Sequence, residues 1–266
     1  MTVVRAFRRF GGARVLLVVC SLVGCSSPST APRPKVALFI GDSIMYEVRV
    51  PVRAEMAARG WTAVVAGRPG IALCDLIDEF RSKIQHDRPA VVVVETQGDL
   101  FSRCMASDQA GVPVGLGSAA YFRRYRAAMD VFVRVAHEHH ARIVFVAPLP
   151  VPQPTTNAAF LRLRDLERQV VARHPSATMT DAPRDAVSFA GAFTATLPCL
   201  PGEQDRPACT DGRIRVREAL QGLHLCPTPY FTAQQTVRGC PTYSSGAVRY
   251  GRALVDAVVP APGAYE

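Results

Sequence analysis

Gly41-Asp42-Ser43-Ile44 is the segment of this sequence best equipped for covalent chemistry. It follows directly on an apolar run, Val36-Ala37-Leu38-Phe39-Ile40, that reads as a buried strand. A serine where a buried strand turns into a helix is held on a tight turn with its hydroxyl exposed. The backbone N–H groups at the helix start can then face developing negative charge. Such a serine is a nucleophile only if the rest of the chain brings a base to it. Other chemistry-bearing residues read more plainly. His137, Glu138, His139 and His140 crowd one stretch, but their spacing is not His-Glu-x-x-His, and they read as partners of a helix C-terminus. Asp42 reads as a turn or cap residue, and Arg68 as a solvated loop arginine.

The elements that must position Ser43 alternate from residue 35 to about residue 180. Strands are expected at Val36–Ile40, Thr62–Ala66, Ala90–Glu95, Arg142–Ala147 and Ala177–Thr180. The third and fourth are near-continuous apolar runs, as parallel strands covered on both faces should be. A helix is expected to start at the N-cap Ser118, with Phe122, Tyr125, Met129, Phe132, Val133 and Ala136 at helical spacing. Further helices are expected from about Thr156 to Arg173 and from about Ser244 to Val258. This alternation implies an α/β fold with a central parallel sheet of about five strands and right-handed crossovers. Catalytic groups then gather at the carboxyl ends of the strands, where Ser43 lies with the loops after Ala66, Glu95 and Ala147. Residues 185–242 are rich in Pro, Cys and Gly without clear periodicity, and read as a disulfide-stapled excursion that returns a catalytic loop to the site.

The chain has 266 residues, is 48% hydrophobic and carries a formal charge of +9, which suits one sizeable domain with a real core. Arg5, Arg8, Arg9 and Arg14 contribute four of those charges, leaving 27 basic against 22 acidic residues in the remainder. No basic stripe interleaved with aromatics is present, which argues against a nucleic-acid partner. These N-terminal arginines precede a short apolar run and then Leu22-Val23-Gly24-Cys25, which resembles the lipobox of bacterial lipoproteins. The expected organisation is a signal peptide over 1–25, with Cys25 lipidated, a Ser/Pro-rich tether over 26–34, and one domain over 35–260. That places the protein outside the cytoplasm on the outer face of a membrane, as a monomer. Six further cysteines, Cys74, Cys104, Cys199, Cys209, Cys226 and Cys240, form an even set suited to disulfides. Local spacing favours Cys199–Cys209 and Cys226–Cys240, leaving Cys74–Cys104. No metal site is expected from these spacings.

With these elements in place, the chain resembles the SGNH (GDSL-type) hydrolases, in the secreted, disulfide-bearing branch. That family carries Ser, Gly, Asn and His in four separated blocks on a flavodoxin-like three-layer sandwich. Gly41-Asp42-Ser43-Ile44 matches the nucleophile block, and Gly70 in Gly67-Arg68-Pro69-Gly70 matches the oxyanion-hole glycine. Gly98-Asp99 stands where the family has Gly-Asn. Gln221-Gly222-Leu223-His224 stands where it has Asp-x-x-His. The resemblance implies cleavage of carboxylic esters, cell-envelope carbohydrate esters among them. Ser43 would attack, His224 would act as base, and Ser43, Gly70 and Asp99 would form the oxyanion hole. No metal or organic cofactor is implied.

Two positions depart from that pattern. An ionised Asp99 cannot donate to an oxyanion, and Gln221 brings no charge to orient His224. A working esterase with a Ser43–His224 dyad is one reading. An impaired relative that keeps the pocket and binds an envelope glycan or acylated ligand is the other. Taken together, the two changes suggest activity under mildly acid conditions. Asp99 would stay protonated if buried, and His224 without a carboxylate partner would stay neutral to lower pH. Glu218 is a further candidate partner for His224.

Overall fold

The computed structural model describes residues 35–107, 111–218, 221–226, 240 and 244–259. The expected signal peptide, the lipidation site Cys25 and the tether lie outside the described residues. Five parallel strands form the main sheet: β1 Lys35–Gly41, β2 Trp61–Gly67, β3 Val91–Glu95, β4 Arg142–Val146 and β5 Ala177–Thr180. Their spatial order is β2-β1-β3-β4-β5, that of a three-layer, flavodoxin-like α/β sandwich. The register aligns Gly41 with Gly67, Val94 with Ile40 and Glu95 with Val146. The carboxyl ends of β1 to β4 therefore finish together, and the loops that leave them open onto one edge.

Each face of the sheet carries its own core, because successive strand residues point to opposite sides. Leu38, Ile40, Val92, Val94 and Phe145 face one cluster with side chains of α2 (Ile77–Asp87), α3 (Ala119–Glu138) and α4 (Pro154–Val171). Phe80 and Phe132 stack there with ring centroids 4.2 Å apart. Phe39, Val93, Val144 and Val146 face a second cluster with α1 (Ser43–Ala58) and the C-terminal helix Ser245–Val258. Full burial of one such side chain is worth about 1.5–3 kcal/mol, so both layers are needed to hold the sheet. Ser118 caps α3 by accepting the Tyr121 N–H at 3.1 Å, as its sequence position implies. Pro154 occupies the first turn of α4, where its missing N–H has no helical partner to lose.

Beyond β5 the chain forms the short α5 (Ala182–Asp185) and a small antiparallel sheet in the order β6-β8-β7, with β6 Thr196–Pro198, β7 Cys209–Thr210 and β8 Arg213–Arg215. Strands of two or three residues leave no readable period, so this sheet left no mark in the sequence pattern. The C-terminal helix, α6, packs on α1. Gly251 sits within 3.2 Å of Pro51 carbons if given a Cβ. Three disulfides are formed: Cys74–Cys104, Cys199–Cys209 and Cys226–Cys240. They suit an oxidising, extracytoplasmic compartment. No helix among the described residues is long and apolar enough to cross a membrane.

Candidate active site

Ser43 is the first residue of α1, two residues beyond the end of β1. The turn that presents it is fastened by Asp42. One Asp42 carboxylate oxygen accepts the Ile44 N–H at 3.0 Å, and the other accepts the Gln97 N–H. Asp42 thus caps the helix and ties the β1 turn to the loop after β3. Glu95 lies directly beneath, accepting the Met45 N–H at 3.2 Å and sharing a side-chain hydrogen bond with Asp42. Both carboxyl groups are buried, and burial raises the proton affinity of each. Asp42 has two backbone donors to stabilise its charge, whereas Glu95 is raised further by the Asp42 charge beside it. Glu95 therefore holds the proton and donates to Asp42. Gly41 makes this approach feasible, since a Cβ there would meet Glu95 Oε2 at 2.7 Å.

Ser43, Gly70, Asp99, Gln221 and His224 all line one cavity of about 410 Å³ at the carboxyl ends of the strands. Distant blocks of the chain converge there. Gly70 has φ +73°, a conformation strained for any L side chain. The loop after β3 is set from behind by α3. Tyr121 Oη donates to Gly98 O and Tyr125 Oη to Asp99 O, each at 3.0 Å. Gly98 has φ +83°, and a Cβ on it would meet Tyr121 Oη at 2.3 Å, so glycine is required. Asp99 Oδ2 is buried and has no hydrogen-bond partner among the described residues. Burial first, then the charge of Asp42, push its carboxyl up to about 8, with His224 opposing. At neutral pH Asp99 is therefore mostly a neutral acid with an O–H to donate.

The structure corrects the expected orienter of the histidine. Gln221 is exposed at the cavity edge. The Nδ1 of His224 bonds instead to Glu47 Oε1 at 2.7 Å, and the other Glu47 oxygen accepts the Leu225 N–H at 2.7 Å. Because a carboxylate accepts, Nδ1 carries the proton and Nε2 is left as the basic nitrogen. Glu47 lies four residues after Ser43 on α1, hence on the same face one turn along. The sequence did hold a signal: an acid at helical spacing from the serine, amid Ile44, Met45 and Val48, which are all buried. Glu218, the other candidate partner, accepts the backbone N–H groups of Gln221 and Gly222. The expectation that His224 stays neutral to lower pH is overturned with it. Burial alone would lower its pKa, but the hydrogen bond and charge of Glu47, backed by Asp42 and Glu218, outweigh burial and raise it.

The histidine segment is held by further long-range contacts. Arg217 is fully buried, and its Nη2 donates to Gly222 O and, at 3.3 Å, to Pro150 O. Burial lowers its pKa to about 10, with the Glu47 charge opposing, so it remains a cation. Ser244 Oγ donates to Leu225 O at 2.7 Å, and Glu218 N donates to His224 O at 2.9 Å. No cluster of His, Cys, Asp or Glu suited to a metal occurs among the described residues. A larger groove of about 860 Å³ runs past Arg126, Arg134, His137, Arg173 and His174, away from Ser43.

The sheet order and the cavity define an α/β protein of the SGNH type. The chain belongs to the family described as "Protein of unknown function (DUF459)", a GDSL/SGNH-like family, which matches residues 36–214. It is similar in structure to a GDSL-like lipase from Bacteroides thetaiotaomicron VPI-5482, at 12% identity and TM-score 0.49, covering 86% of this chain and 91% of that one. A lipase/acylhydrolase from Enterococcus faecalis matches at 16% identity and TM-score 0.45, over 60% and 83%. A catalytic variant of an acetylxylan esterase from Geobacillus stearothermophilus matches at 16% identity and TM-score 0.43, over 57% and 77%. No curated protein matches the chain in sequence.

Proposed function

We propose that this protein is a serine hydrolase that cleaves carboxylic esters of the cell envelope through a covalent Ser43 acyl-enzyme. The observation that carries the reading is Glu47 hydrogen-bonded to His224 Nδ1, on the same helix that Ser43 begins. It supplies the carboxylate that the sequence had seemed to lack. In the first step Ser43 Oγ bonds to the acyl carbon while His224 Nε2 takes its proton. The backbone N–H groups of Ser43 and Gly70, with the O–H of Asp99, face the oxyanion. The imidazolium then protonates the departing alcohol. Water then bonds to the acyl carbon and gives a proton to His224; the bond to Ser43 Oγ breaks, Oγ takes that proton back from Nε2, and the acid leaves. Glu47 accepts from His224 Nδ1 and stabilises the imidazolium. Lipidation at Cys25 would hold the domain at the outer face of a membrane.

The test is labelling by a fluorophosphonate together with hydrolysis of a chromogenic acetate ester. Ser43→Ala is expected to abolish the label and cut turnover by about a thousandfold or more. Undiminished turnover in Ser43→Ala would overturn the assignment.

The charge states also set a pH window. His224 must be neutral to act as base, so the rate rises as pH climbs through its raised pKa. Asp99 must keep its proton to donate, so the rate falls above about 8. The expected profile is a bell whose acid limb lies above the ordinary imidazole range and whose alkaline limb falls above about 8, not the acid optimum that the sequence suggested.

A further inference from the structure

Phe101 stands on the wall of the Ser43 cavity and is 92% exposed, the highest exposure among the large hydrophobic residues of the described chain. A phenyl ring so placed forgoes its burial energy at the rim of a cavity, and aromatic side chains are regular components of ligand-pocket walls. The backbone that carries it is not loose. On one side, Gly98 O and Asp99 O are gripped by Tyr121 and Tyr125. On the other, Ser102 Oγ accepts the Ala72 N–H at 3.2 Å, Cys104 N donates to Asp75, and Cys104 is cross-linked to Cys74. The fold thus presents a bare ring on a fixed mount, two residues from Asp99.

Resting on the esterase reading, we infer that Phe101 is a stacking platform for the pyranose ring of the substrate, so that the alcohol side of the ester is a sugar. The cavity beside it is walled by Pro69, Leu100, Leu116, Phe160 and Leu223, and this apolar space suits the acyl group. The exposed ring serves a different ligand face. A group stacked on Phe101 keeps its outer side in water. A pyranose meets both demands, with an apolar C–H face for the ring and hydroxyls turned outward. A fatty acyl chain in the same place would stay wet along its outer side.

The experiment compares Phe101→Ala and Phe101→Trp with the unaltered protein on two substrate sets. One is a panel of mono-O-acetylated methyl pyranosides of the gluco, galacto, manno and xylo series. The other is ethyl acetate, which has no ring to stack. Phe101→Ala is expected to raise KM on at least one pyranoside by about two- to tenfold, the size of an aromatic contact. Its kcat on that pyranoside and its kcat/KM on ethyl acetate should not change, and Phe101→Trp should restore KM. Equal loss on both sets, or no loss on any pyranoside, would each overturn the platform. Saturation-transfer NMR with the corresponding methyl pyranosides, on the Ser43→Ala protein, separates this from failure of the esterase reading. Contact that vanishes on adding Phe101→Ala upholds the platform even without turnover, and absence of contact refutes it.

Discussion

The two halves of the candidate site are built by different means. The nucleophile corner is local: β1 ends, Asp42 caps, and Ser43 opens α1, all within three residues. The histidine corner is assembled across the chain. His224 meets Glu47 from 177 residues away, and Arg217 reaches back 67 residues to Pro150 O. A strand-to-helix turn is dictated by local sequence. A carboxylate–imidazole pair needs a folded core to exist at all. The first corner should therefore tolerate changes that keep backbone hydrogen bonds. The second should fail when one buried charge is removed.

Glu47→Gln is the sharpest break. An amide keeps the shape but removes the charge that stabilises the imidazolium, so kcat is expected to fall by about a thousand- to ten-thousandfold. Circular dichroism should stay unchanged, and a loss under tenfold would argue that Glu47 only packs. Arg217→Met tests the mount of the histidine segment. Two buried carbonyls lose their donor, and a destabilisation of about 3 kcal/mol is expected in urea titration. An unchanged midpoint would show that the guanidinium braces nothing.

Asp99→Asn separates the protonated-acid reading from simple loss of the oxyanion donor. An amide donates at every pH, so the alkaline limb should vanish while the neutral rate stays within about threefold. Stability should move too. A carboxyl whose folded pKa is raised from 3.8 to about 8 binds an extra proton in the native state, so stability falls as pH rises through that interval. The variant should melt higher than the unaltered protein, with a gap that widens from pH 4 to pH 8. A gap that stays flat with pH would mean that Asp99 ionises normally.

Glu95→Gln should have the smallest effect. A neutral amide reproduces the donor to Asp42 and the acceptor for Met45 N, so the rate should change by less than about threefold and the pH profile should stay in place. If the profile shifts, Glu95 carries charge in the native protein, and the nucleophile corner depends on long-range electrostatics as the other corner does.

Strand periods were legible down to the four residues of β5, and helix periods where a long apolar stripe recurred, as it does in α3. All five parallel strands and the three described helices expected at 118, 156 and 244 lie where the apolar spacing puts them. The pairing of the six cysteines was also legible, because two short loops left only one partner for Cys74. The small sheet β6 to β8 was not, because two- and three-residue strands carry no repeat. Glu47 was missed for a different reason. A single acid on an apolar helix face has no local chemistry that marks it. It was outweighed by the resemblance at Gln221, the position where related sequences carry the acid.

By itself, the order of residues determined the scaffold: apolar runs of the right period must become buried strands, and a serine between strand and helix must sit on their shared edge. Which acid touches His224, and which charge Asp99 keeps, were decided only on folding. Both depend on burial and on neighbours far along the chain, and a proton's affinity for a group is set by the charges and dielectric around it in space.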